Sequence, residues 1–211
     1  MYLVLPIVGS IFYLEYQANY KDSPFEIGDL LFARSASSPL ETAITDIGIG
    51  YGYPVSHVGV YVGNNKIVEA TLKDGVKETS LRSFLAQYRT KDCSNITVLR
   101  ADESFREEFS QRAEAYLGTA YNKNYTPGAE SVYCSDLVIR ALEDTESYTY
   151  RIKPTTMNFY DFEGKLPEVF LRMYGSIDKI PQGEQGSHPA NLFLNLEGFT
   201  LIYDFTENCS S

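Results

Sequence analysis

Residues 57–70 read His57-Val58-Gly59-Val60-Tyr61-Val62-Gly63-Asn64-Asn65-Lys66-Ile67-Val68-Glu69-Ala70, the pattern of a β-hairpin. Side chains alternate across a strand, so Val58, Val60 and Val62 share one face and His57 lies on the other. Gly63-Asn64-Asn65 is turn material, and Lys66–Ala70 is the return strand of a hairpin. If the loop is Gly63–Asn65, Val62 pairs with Lys66 and Gly59 with Glu69. Glu69 then lies diagonally beside His57 on the same face. If the loop is only Asn64-Asn65, the register slips by one and Glu69 points away.

Outward from the hairpin, Gly28-Asp29-Leu30-Leu31-Phe32 runs from turn residues into an apolar strand. Ser35 to Tyr53, rich in Ser, Gly and Pro, reads as a long loop with room for one helical turn. After the hairpin, Leu81, Phe84, Leu85 and Tyr88 recur at helical spacing behind Ser80, a suitable N-cap. Asn95 to Leu99 reads as a strand. Ser104 and Glu107 form a capping box for a helix that Gly118 ends. The loop Thr119–Val132 leads to a helix over about Tyr133 to Leu142. Pro154, Pro167 and Pro181 divide the chain beyond that helix into short pieces, and Gly198 to Phe205 is a closing strand. This order predicts an α+β fold, a mostly antiparallel sheet packed against helices.

The 211 residues suit one domain, with residues 26–211 as its body and residues 1–25 as an apolar N-terminal segment. Hydrophobic residues make up 44 % of the chain and charged residues 22 %, enough apolar material for a core. The formal net charge is −10, which repels phosphate backbones and excludes nucleic acid as an expected partner. Met1 to Leu14 is almost wholly apolar. It reads either as a remnant of an export signal or as an element docked on the domain, and it is the only expected route to membrane association. The cysteines are Cys93, Cys134 and Cys209, too few for a disulfide scaffold. Cys93 and Cys209 are either a pair or two separate thiols.

Cys134 stands where a loop meets a helix N-terminus. The unpaired N–H groups and helix dipole there favour a thiolate and offer a place for an oxyanion. A free Cys also packs as a small hydrophobe, and on position alone that reading is the stronger. His57, at a strand start on the face away from the valines, is placed to reach a helix packed on that face. It then acts as general base, and Glu69 is the candidate to orient its imidazole. The other histidine, His188, lies in the loop Gln185-Gly186-Ser187-His188-Pro189 and reads as a loop residue. No spacing of Cys, His and carboxylate matches a metal site, no Gly-rich phosphate loop opens a helix, and no cofactor is expected.

Gly28–Phe32, Ser56–Tyr61, Val68–Ala70 and Tyr133-Cys134-Ser135-Asp136-Leu137-Val138 resemble, in that order, the NlpC/P60 superfamily of papain-like cysteine hydrolases. His57 precedes Cys134, as in the circularly permuted YiiX/YebB-like branch, and the late segments Ile180–Gly183 and Gly186–Pro189 resemble a loop of that branch. His188 departs from the small polar residue, such as Asn, expected there. The resemblance covers about residues 26 to 205. It implies a permuted papain-like fold, with Cys134 as nucleophile, His57 as base and Glu69 as third member. It also implies amide hydrolysis, of cell-wall peptides or related small amides, and a bacterial cell-envelope or secreted location. Tyr133, Tyr121 and Tyr53 are expected to line the substrate cleft. Two alternatives stay open: an acyltransferase or thioesterase acting on lipid or N-acyl substrates with the same residues, and a non-enzymatic binding module.

Overall fold

The computed structural model describes residues 24–90, 94–126 and 128–204. The apolar N-terminal segment up to residue 23, Cys93 and Cys209 lie outside the described residues. The elements run β1 (Leu30–Ala33), α1 (Pro39–Tyr51), β2 (His57–Gly63), β3 (Lys66–Thr71), β4 (Gly75–Ser80), α2 (Leu81–Gln87), β5 (Ile96–Ala101), α3 (Arg106–Ala115), α4 (Cys134–Glu143), α5 (Glu168–Tyr174), a 3-10 turn (Ile177–Lys179), α6 (Pro189–Asn195) and β6 (Phe199–Tyr203). The strands form one antiparallel sheet in the order β4-β3-β2-β1-β5-β6. The α+β expectation therefore holds, and β2 lies inside the sheet, where both faces are covered.

The two faces bury different helices. Val58, Val60 and Val68 pack with Leu137, Val138, Ala141 and Leu142 of α4. Tyr61 and Ile67 on the opposite face pack with Leu81, Phe84 and Leu85 of α2. Burying each such side chain is worth ~1.5–3 kcal/mol, so these contacts fix both helices against the strands. Gly59 allows the second packing to be close: a Cβ there would lie 2.6 Å from Ile67 Cγ2 and 3.1 Å from a Phe84 ring carbon.

Three local expectations change. The stretch read as a long loop contains α1. Ser38 caps it by accepting from the Glu41 N–H, Pro39 occupies its first turn, and Gly52 ends it at φ 104°. Its glycines hid it from a periodicity reading, yet Gly48 is needed: a Cβ there would lie 2.7 Å from the Tyr53 carbonyl oxygen. Strand β4 has only two buried residues, Gly75 and Val76, at its start, so its apolar pattern is weak. The Ser104–Glu107 capping box does not form, because Ser104 turns back to Asp102 and α3 starts after Phe105 without a side-chain cap.

Candidate active site

The hairpin register places Glu69 by a route the sequence reading did not foresee. The turn has two residues, Asn64 and Asn65, with φ of 50° and 58°. Gly63 pairs with Lys66, which alone would turn Glu69 away. A β-bulge between Tyr61 and Gly63 takes up the extra residue, Val62, and restores Tyr61 opposite Ile67 and Gly59 opposite Glu69. The expected condition, a three-residue loop, is thus corrected, while the predicted pairing of Gly59 with Glu69 stands.

Glu69 is 1 % exposed, and its Oε2 lies 2.7 Å from Nε2 of His57. Its Oε1 accepts from the Thr79 hydroxyl at 2.5 Å, a contact the sequence reading missed because β4 was not recognised. Burial works against the Glu69 charge, but hydrogen bonds from His57 and Thr79 hold its carboxyl below the usual range. An ionised carboxylate only accepts, so the His57 Nε2–H donates and Nδ1 is left for the thiol. The Cys134 side chain is within hydrogen-bonding reach of His57. Burial disfavours the imidazolium, but Cys134 and Glu69 outweigh it and push the His57 pKa up to about 10. The ring is also stacked on Tyr88, with centroids 5.8 Å apart.

Cys134 is the first residue of α4. Tyr133 is the N-cap in extended conformation and makes no side-chain cap, so the first-turn N–H groups are not taken by it. The expectation that this helix packs on the His57 face is corrected, because α4 lies on the valine face. His57 and Cys134 still meet because each begins its element: the strand's first residue and the helix's first residue lie at the same end of the sheet.

Two depressions join at Cys134, and both include Ile44, Ser56 and Tyr121 in their walls. One is a narrow slot with Tyr125, Tyr133, Met157, Phe159 and Phe170 among its walls. The other is a wide groove with His57, Tyr88 and parts of α1 and α5 along its sides. Tyr121 and Tyr133 therefore border the site as expected. Tyr53 does not: it is buried, its ring is stacked on Phe193, and its hydroxyl is hydrogen-bonded to Thr97 and Asp204. It belongs to the core because Gly52 ends α1 and turns the chain toward the sheet. His188 caps α6 in the role an Asn would take: Nδ1 accepts from the Ala190 N–H and Nε2 bonds the Ile44 carbonyl.

Residues 25–191 match the family model of the permuted papain-like amidase enzymes, YaeF/YiiX, C92 family. In fold, the chain is similar to the crystal structure of the metalloprotein yiiX from Escherichia coli O157:H7, with 23 % identity and a TM-score of 0.67 over 85 % of this chain and 97 % of that one. Among the described residues here, no three His, Cys, Asp or Glu side chains group to hold a metal ion. Among curated proteins none matches. With the family match spanning most of the sequence, the chain belongs to the permuted papain-like amidase family and is an enzyme of the amidase type.

Proposed function

We propose that this protein hydrolyses amide bonds through a thioester on Cys134. His57 already holds the thiol proton as an imidazolium, and Sγ bonds to the carbonyl carbon. N–H groups at the start of α4 hold the oxyanion. The C–N bond breaks as His57 passes its proton to the leaving nitrogen. Water then gives a proton to His57 and attacks the thioester, the C–S bond breaks, the acid is released, and the sulfur is left paired with the imidazolium as at the start. Glu69 orients the imidazole throughout. The observation that carries this reading is the Thr79–Glu69–His57 chain ending at a thiol on a helix N-terminus. Cell-wall peptides and related small amides are the substrates we propose.

Mapping alkylation by iodoacetamide tests it. Cys134 is expected to react at least about tenfold faster than Cys93 or Cys209, and His57→Ala to remove most of that advantage. Equal labelling of the three thiols would contradict an activated Cys134. Acyl transfer or thioester hydrolysis on lipid or N-acyl substrates is the second reading, and the apolar walls of the slot beside the thiol favour it for short acyl groups only. It predicts that an added amine or alcohol diverts the product from free acid. The contact between Cys134 and His57 speaks against a binding module without activity.

A further inference from the structure

We infer that the slot beside Cys134 receives the acyl half of the substrate, that this half is short and uncharged, and that the open groove receives the amine. This rests on the thioester mechanism above, adds a direction and a size to it, and selects small amides over peptides with an extended or charged acyl half.

Direction comes from the proton. The leaving nitrogen must be protonated by His57 as the C–N bond breaks. His57 borders the groove and is absent from the walls of the slot. The nitrogen therefore faces the groove, and the carbonyl carbon's other substituent points into the slot. Water for the second step enters from the groove after the amine departs, on the side of the same imidazole.

Size and polarity come from the slot walls. The slot has room for roughly three water molecules. Its walls interlock: Phe159 meets Phe170 edge-on with centroids 5.0 Å apart, and Tyr125 meets Tyr133 at 5.1 Å. The loop at Gly186 closes one side so tightly that a Cβ there would lie 2.5 Å from Met157 Cγ and 3.0 Å from the Tyr133 hydroxyl. No Asp, Glu, Lys or Arg among the described residues borders the slot. His188 offers no charge to a ligand, since both ring nitrogens are bonded to the backbone. A charged acyl group would enter unpaired, and a long chain would meet packed rings.

Chloromethyl ketones R–CO–CH2Cl test this without a known substrate. The carbonyl takes the place of the scissile one, R takes the acyl side, and Sγ displaces chloride from the methylene at the leaving-group side. Second-order inactivation rates at Cys134 are compared for R = propyl, nonyl and carboxyethyl. Propyl is expected to react at least about tenfold faster than nonyl or carboxyethyl, the scale at which a pocket resolves fit. Met157→Ala is expected to raise the nonyl-to-propyl ratio, and Ile44→Ala, at a half-buried position, serves if that variant does not fold. Rates that are flat across R, or highest for nonyl or carboxyethyl, overturn the inference while leaving the thiol mechanism intact. If instead every ketone reacts no faster than with a simple thiol, and His57→Ala changes nothing, the mechanism itself fails.

Discussion

At the scale of single residues, the site depends on two partners lifting one imidazole. Burial alone would lower the His57 pKa; Cys134 and Glu69 raise it to about 10. The imidazolium is therefore retained from neutral pH up to about 10 and lost above it. An NMR titration of the His57 ring is expected to show that midpoint. Glu69→Gln keeps the shape and removes the charge, and the midpoint is expected to fall by at least about one unit toward 6.5, with slower alkylation of Cys134. A midpoint near 6.5 in both proteins would deny Glu69 its part. The residues themselves were legible: His57, Cys134 and Glu69 stand in the sequence with the right chemistry. Thr79 was not, because its role needs a neighbouring strand that the apolar pattern of residues 75–80 barely marks.

At the scale of elements, the hairpin turn does the positioning. Left-handed conformations at Asn64 and Asn65 suit Asn far better than a β-branched residue. The Asn65 carbonyl also accepts from the Leu81 N–H at 2.8 Å, tying the turn to the start of α2. Asn65→Val is expected to cost about 1–2 kcal/mol, the scale of forcing a side chain with a branched Cβ into that region. A thermal melt would show this as a drop of several degrees, and Cys134 alkylation is expected to slow as Glu69 loses its register. Asn65→Gly is expected to melt close to the wild type. An unchanged melting temperature in Asn65→Val would show that the turn does not hold the register. The bulge at Val62 was not legible because alternation alone cannot say where an extra residue is absorbed.

At the scale of the whole molecule, the site is enclosed by segments far apart in sequence. His188 joins α6 to α1 through the Ile44 carbonyl, and burial lowers its pKa to about 4. The unfolded chain takes up that proton near 6.5 and the folded chain only near 4. The stability this group contributes is therefore present above 6.5 and lost as pH falls toward 4, by about 3 kcal/mol in total. His188→Asn keeps an N-cap acceptor and loses the titrating ring. Urea unfolding at pH 7 and pH 4.5 is expected to show a smaller acid loss in the variant than in the wild type. Equal losses would place the acid sensitivity elsewhere.

By itself the sequence determined the chemistry and the order of parts: a thiol at a helix start, an imidazole at a strand start, and a carboxylate on the return strand of a hairpin. Those features are local, set by alternation, capping and turn residues within a few positions. Packing of the folded chain settles which sheet face carries α4, how the bulge rescues the register, that Tyr53 is core, and that α1, α5 and the 186–188 loop wall the site. Each of these depends on which surfaces bury one another, and burial is a property of the packed chain rather than of any one segment.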